Sequence, residues 1–225
     1  MSNQTVLAQT VLAQTVLAQT VTFVRSGGPA PDRAATVAAL LALEKASRQT
    51  RQTIAWDQLA GDWRLVFITG TQRSRKAAGV ALGAGRFLPR WIEILIAYRA
   101  ALGDGSDAVE PGAGDRLLGS VENRVRFAGV DLTVAGPLCL YGSRRILAFD
   151  FIRLRFLLGG ISLFDGYVKG GRAREQAFGQ KSLRDQAFFT YFYVEEELIA
   201  ARGRGGGLAI WVREPRPETT KHHAS

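Results

Sequence analysis

Acid–base, nucleophilic and metal chemistry need histidine, cysteine or paired carboxylates held in fixed surroundings, and this chain is poor in all three. Its only histidines, His222 and His223, lie side by side near the C-terminus after a proline-containing stretch. A fraying terminus cannot hold a proton shuttle in place. Cys139 is the single cysteine. Without an interior histidine beside it, a zinc or other transition-metal site lacks soft and borderline ligands, so no metal and no other cofactor is expected. Carboxylates in the strand-rich part are sparse, chiefly Glu122, Asp131, Asp150, Asp165 and the run Glu195-Glu196-Glu197. Asp150, between Phe149 and Phe151, is the one whose apolar setting would raise its pKa toward acid–base use. An ion pair with Arg144, Arg145 or Arg153 is the favoured alternative, because a solitary strand carboxylate is usually paired when buried. The three glutamates read as a solvated turn. The chain is therefore read as a non-enzyme.

Two glycine-rich runs offer phosphate or RNA chemistry and then fail to supply it. Gly79 to Gly85 lacks the Gly-Lys-Ser/Thr ending of a phosphate loop and the full dinucleotide spacing. Arg202-Gly203-Arg204-Gly205-Gly206-Gly207 resembles an arginine-glycine RNA-binding tail, but it is one short copy between two apolar runs and reads as a hairpin turn.

Composition narrows the class further. With 47% hydrophobic and 22% charged residues in 225, the chain has ordinary globular usage, and one domain with appendages is expected. Lys and Arg outnumber Asp and Glu by 29 to 20, a formal charge of +9. That excess favours phosphate-bearing surfaces, either nucleic acid or anionic lipid headgroups, without choosing between them. Nucleic-acid binding rests on net charge alone and is not expected, whereas peripheral contact with an anionic membrane surface is. A lone cysteine fits a reducing compartment. No basic stretch followed by an apolar run and a small-residue cleavage site opens the chain, so secretion is not expected. The best apolar run, Trp91 to Ala101, contains Glu93 and Arg99 and is too short to cross a bilayer. A cytoplasmic or peripheral protein follows.

These residues need elements to position them. The segment from Gln4 repeats Gln-Thr-Val-Leu-Ala. A period of five matches neither helix nor strand, so its Val-Leu pairs precess around any regular element, and residues 1–31 are expected to form a poorly ordered low-complexity tail. Asp32 is a suitable N-cap for a helix from Arg33 to about Arg48, within residues 32–50. The barrel domain is placed at residues 57–214, and residues 215–225 are read as a flexible tail. Strand texture begins at Trp63, with Trp63, Leu65 and Phe67 on one face at period two. Further strands are read at Val121 to Phe127, Val130 to Val134, Ile146 to Phe156, Ile161 to Phe164, Phe188 to Val194, Leu198 to Arg202 and Leu208 to Arg213. A helical insertion is read at Pro89 to Leu102, with proline near its start and Gly103 beyond its end. The sum is a mainly β fold, a lipocalin-like antiparallel barrel of about eight strands covered by an N-terminal helix and one helical insertion.

Several strands are apolar on both faces, so one face fills a core or cavity while helices cover the other. Leu65, Phe67, Trp91 and Phe149 are candidate wall residues for an apolar ligand, with Phe151, Tyr191 and Trp211. A tryptophan at the start of the first strand plugs the narrow end of such a barrel, and an arginine from the last strand can lie across its ring. Arg213 is thus expected to pack on Trp63, with Gly61 part of the same closure.

The stretch Gly61-Asp62-Trp63-Arg64-Leu65-Val66-Phe67, preceded by Leu59-Ala60, resembles the opening of the plastid lipid-associated protein family, also called fibrillins. Phe189-Thr190-Tyr191-Phe192 and the run from Ile199 to Arg213 resemble its C-terminal pattern, an Arg-Gly turn before a last strand ending in arginine. Val121-Glu122-Asn123-Arg124-Val125 is similar to its central strand. The resemblance spans about Arg33 to Arg213, is weakest over Pro89 to Leu118, and fits the cyanobacterial branch. It implies association with thylakoid membranes or lipid droplets and non-catalytic binding of prenylquinones, carotenoids or acyl lipids. It also leaves two alternatives, an accessory protein docking on a prenylquinone-biosynthesis enzyme and a lipocalin-like bilin lyase, the latter needing Asp150 with Arg144 or Arg153.

Overall fold

The computed structural model describes residues 3–50, 52–70, 85–101, 116–168 and 170–215. His222, His223 and residues 79–84 of the first glycine-rich run lie outside the described residues.

The N-terminal repeat forms a helix, α1 (Asn3–Ser26), where a poorly ordered tail was expected. Gln, Leu and Ala are good helix formers, and the repeat does precess as its period requires. Val11 and Leu12 stand 61% and 66% exposed, whereas Val16 and Leu17, one repeat later, are buried. Ala13, Val16, Leu17 and Thr20 are the buried stripe, at helical spacing. A second helix, α2 (Arg33–Ser47), starts where Asp32 predicts, with Asp32 Oδ1 accepting from the Ala35 N–H at 2.8 Å. The two helices pack on each other and bury Leu17, Leu40 and Leu43 against strands of the sheet. Arg90 fixes the end of α1 by donating to the Phe23 carbonyl at 2.5 Å.

A single-turn helix, α3 (Trp56–Leu59), leads into the strands β1 (Gly61–Ile68), β2 (Arg86–Phe87), β3 (Glu93–Ala100), β4 (Arg116–Phe127), β5 (Val130–Tyr141), β6 (Ile146–Phe149), β7 (Arg153–Leu158) and β8 (Ile161–Tyr167). After a short helix, α4 (Gly171–Gln176), and two 3-10 turns follow β9 (Ala187–Val194), β10 (Leu198–Gly203) and β11 (Leu208–Arg213). The strands β1, β3, β4, β5, β6, β9, β10 and β11 pair in that order, and β11 returns to β1, closing an eight-stranded antiparallel barrel. The fold is mainly β and matches a lipocalin-like barrel.

Two expectations are corrected. Over its described residues, 89–101, the helical insertion read at Pro89 to Leu102 is instead strand β3, preceded by a turn over residues 90–91. Its run Ile94-Leu95-Ile96-Ala97-Tyr98 is apolar at every position although only Ile96 and Tyr98 are buried, and a continuous apolar run lacks the alternation that distinguishes a strand from a helix. The strand read as Ile146 to Phe156 is two strands, β6 and β7, separated by Asp150-Phe151-Ile152.

Burial resolves into two layers. The outer layer lies between the helices and the barrel wall and holds Leu17, Leu40, Val66, Phe67, Ile210 and Val212. The inner layer fills the barrel with Trp63, Ile96, Tyr98, Tyr191, Ile199 and Trp211, among others. Strand parity assigns β1 to both, because a bulge between Leu65 and Phe67 breaks the register with β11. Trp63 and Leu65 face inward, and Val66 and Phe67 both join the outer layer.

Strand β5 belongs to two pairings on one side. Its residues 138–141 pair with β6 inside the barrel, and its residues 130–135 pair with β7, which carries β8 outside the barrel. The sheet therefore forks. One branch, β6–β9, closes the cylinder, and the other, β7–β8, extends a flap with the upper halves of β4 and β5.

Candidate functional site

One end of the barrel is closed by Trp63 and Arg213, which face each other across β1 and β11. The Arg213 guanidinium lies 4.0 Å from the Trp63 ring centroid. Its Nη1 donates to the Ala60 carbonyl at 2.8 Å, its Nη2 to the Gln58 carbonyl at 2.9 Å and its Nε to the Glu196 carbonyl at 2.5 Å. Trp63 is fully buried, and its Nε1 donates to the Leu59 carbonyl at 2.7 Å. Gly61 completes the closure. At φ +128°, a Cβ there would meet Arg213 Nη1 at 2.7 Å, so only glycine lets the guanidinium reach Ala60.

Above this plug the interior is filled by aromatic side chains in contact. Phe149 and Phe189 stack with centroids 5.0 Å apart, and Phe189 meets Trp211 edge-on at 5.2 Å. Tyr98 and Tyr191, both fully buried, share a hydroxyl–hydroxyl hydrogen bond of 2.6 Å. Burial pushes both phenols above their ordinary pKa, so they remain neutral. Their bond satisfies two polar groups in a greasy core.

The apolar inner surface continues beyond the packed part onto the flap. In register across the strands, Ile94 opposes Val125, Val125 opposes Leu132, Leu132 opposes Phe156, and Phe156 opposes Phe164. Directly opposed residues share a face, so this row lies on the same face as the buried Ile96 and Tyr98. Unlike them, its members are half-buried or exposed, with Phe164 at 43%. The neighbouring row Ile96, Asn123, Val134, Leu154 and Gly166 adds one amide, from Asn123, to an otherwise apolar surface. The opposite face of the same strands is polar. Arg124 Nε is 3.0 Å from Asp131 Oδ2, Arg126 is 3.1 Å from Glu93, and Arg155 is 3.0 Å from Asp165. Hydrogen bonds from Arg124 hold the Asp131 carboxyl below its ordinary range.

At the fork, Asp150 meets Arg174 Nε at 2.5 Å and Lys181 at 3.4 Å. This corrects the expected pairing with Arg144, Arg145 or Arg153. Its partners come from the α4 segment that fills the gap between β8 and β9. Desolvation pushes the Asp150 pKa up, but the hydrogen bonds and charges of Arg174 and Lys181 outweigh it and hold the group below its ordinary value. It is a clamp, not a raised-pKa acid. Gly136 lets the strand cross here: its position lies against the Asp150 carbonyl, which a side chain would strike. Glutamates 195–197 are exposed, as expected for a turn, and Glu197 pairs with Arg25 at 3.0 Å. Arg202 of the Arg-Gly run is engaged by Glu44 of α2, with Nε–Oε1 at 2.7 Å and Nη2–Oε2 at 2.5 Å.

Of the candidate wall residues, Leu65, Phe149, Phe151, Tyr191 and Trp211 belong to the inner layer. Phe67 is turned outward by the β1 bulge, and Trp91, 68% exposed, stands in the turn before β3. The flap row was missed. Its signal was present in Arg153-Leu154-Arg155-Phe156, whose strict alternation marks a strand with one apolar and one charged face.

Clefts elsewhere are of a different character. One of about 860 Å³ at the closed end is lined by Trp56, Asp62, Arg99, Glu196 and Arg213, with Asp62 and Arg99 already paired at 2.5 Å. Another of about 430 Å³ lies between the end of α1 and β1 and is lined partly by Arg64 and Arg90. No cluster of histidine, cysteine and carboxylate groups suited to a metal ion occurs among the described residues, and none of their helices is long and apolar enough to cross a membrane. No protein-family model matches the chain, and no curated protein matches it at a significant level.

Proposed function

We propose that this protein binds or organises an apolar lipid, a prenylquinone, carotenoid or acyl lipid, without catalysing its conversion. The observation that carries the reading is the cross-strand row Ile94, Val125, Leu132, Phe156 and Phe164, an apolar surface continuous with the barrel interior and incompletely covered. Contiguous apolar surface left partly uncovered is the kind of surface that serves as a contact site in a folded protein. The seat lies at the mouth and along the flap, since Trp63, Tyr98 and Tyr191 already fill the closed half. Asn123 offers a single donor and acceptor to a ligand's polar end. The resemblance to plastid lipid-associated proteins supports the same class of ligand and a thylakoid setting.

The test is extraction of the intact protein, purified from a photosynthetic host, with organic solvent. An isoprenoid, pigment or acyl lipid is expected at near-stoichiometric amount, and Phe156→Glu should lower its occupancy without changing the fold. Recovery of no such molecule defeats the reading. The filled lower barrel supports a second role, docking on a prenylquinone-pathway enzyme through the outer surface. A lyase role finds no support in the Asp150 site, whose carboxylate is held by Arg174 and Lys181.

A further inference from the structure

Hairpin turns ordinarily carry polar residues, because their backbone faces water. The two turns at the free end of the flap do not. Between Arg126 and Asp131 the chain reads Phe-Ala-Gly-Val, and between Arg155 and Asp165 it reads Phe-Leu-Leu-Gly-Gly-Ile-Ser-Leu-Phe. The Gly159 N–H donates to the Gly129 carbonyl at 2.8 Å, so the turns stand side by side as one tip. Phe127, Leu158, Ile161 and Leu163 on it are 40%, 48%, 68% and 56% exposed. Charged residues begin below this tip, and there Arg124 and Arg126 are matched by Asp131 and Glu93, and Arg155 by Asp165.

We infer that this double-hairpin tip is a membrane-docking surface, which enters the boundary between headgroups and acyl chains of a lipid bilayer while the charged belt stays at headgroup level. The inference rests on the lipid-seat reading and adds the route by which the lipid arrives. Arg126, Asp131 and Leu157 stand level across the strands, so the uncharged end beyond the belt is the row Phe127, Val130, Leu158 and Ile161 with the two glycine turns, roughly 5–7 Å at strand rise, within the ~5–10 Å depth of interfacial insertion. Because the belt's charges are mutually neutralised, apolar insertion carries the contact, and it tolerates salt. A second copy of the chain fits the surface less well. The exposed apolar side chains gather at the end of the flap, and a bulge opposite Leu157 interrupts β8, the strand that would have to pair with a partner. Once docked, the tip joins the bilayer to the row Phe164, Phe156 and Leu132 that leads toward the barrel.

The experiment labels the full chain at Ile161→Cys with an environment-sensitive fluorophore, the native Cys139 being buried, and compares a label at Glu196→Cys near the closed end. The probe is phosphatidylcholine vesicles, with and without phosphatidylglycerol. A blue shift at position 161, none at 196, and persistence in high salt are expected. In flotation, the surface variant Leu158→Asp/Ile161→Asp should weaken vesicle binding by roughly tenfold or more while unfolding normally. Absence of a shift at 161, or a wild-type dimer that the double variant dissociates, overturns the inference. Lipid recovered from a protein that ignores vesicles overturns docking and leaves the seat standing; docking by a protein that yields no lipid does the reverse.

Discussion

Arg213 and Trp63 are cross-strand partners on β11 and β1, and the guanidinium that covers the indole also donates to three backbone carbonyls, those of Gln58, Ala60 and Glu196. One side chain thereby joins the last strand, the first strand and the turn before β1. Arg213→Ala removes the cation–π contact and strands those acceptors, and a loss of about 2 kcal/mol in denaturant unfolding is expected. Arg213→Lys keeps the charge but not the planar fork and should recover less than half. Gly61→Ala should cost a similar amount by displacing the same guanidinium.

The Asp150 clamp has a pH signature. Its carboxyl titrates below the ordinary aspartate value in the folded protein, so its contribution is fully present above that ordinary value. The contribution is lost as pH falls through the lowered one. Asp150→Asn should flatten the acid limb of a stability–pH profile and leave the neutral-to-alkaline limb parallel to that of the wild type. Equal acid limbs would show that the clamp contributes nothing.

The bidentate pair of Glu44 with Arg202 fastens α2 to the β10–β11 hairpin. Hydrogen bonds from Arg202 keep the Glu44 carboxyl below its usual pKa. Glu44→Gln should destabilise the protein by ~1–3 kcal/mol. Amide exchange should accelerate in α2 before it does in β3 or β4.

Helix α1 offers an internal control, since its repeat places chemically identical residues in different surroundings. Leu17 is 2% exposed and Leu12 is 66% exposed. Leu17→Ala should cost about 2–3 kcal/mol as a cavity-forming core change, and Leu12→Ala should stay within ~0.5 kcal/mol. Equal effects would deny that the repeat docks on the barrel.

The ends of the barrel were legible because they depend on local signals. Trp63 opens the first strand, Arg213 ends the last, and the glycine at 61 sits where the two meet. The middle was harder. Strand β3 carries Leu95 and Ala97 on its outer face between Ile94, Ile96 and Tyr98, so its alternation vanished into a continuous apolar run that reads as a helix. The β1 bulge cannot be seen in Trp63-Arg64-Leu65-Val66-Phe67, yet it decides that Phe67 points away from the barrel interior to which period two assigned it. Asp150 finds partners more than twenty residues downstream, Arg174 and Lys181, which only the path of the α4 segment brings near. The N-terminal repeat was misjudged because a precessing pattern argues against a long amphipathic face, although about two turns of coverage, Ala13 to Thr20, suffice when a second helix completes it.

The fork at β5 also decides how the molecule comes apart. Backbone bonds from β5 to β7 end where those to β6 begin, with Asp150 and Ile152 N–H groups donating to the Pro137 and Ala135 carbonyls at the junction. The outer ladder can therefore unzip down to that stop while the cylinder remains shut, a partial opening with its own free energy below that of global unfolding. Exchange of the proposed lipid would then draw on that smaller sum, with the cylinder keeping its shape throughout.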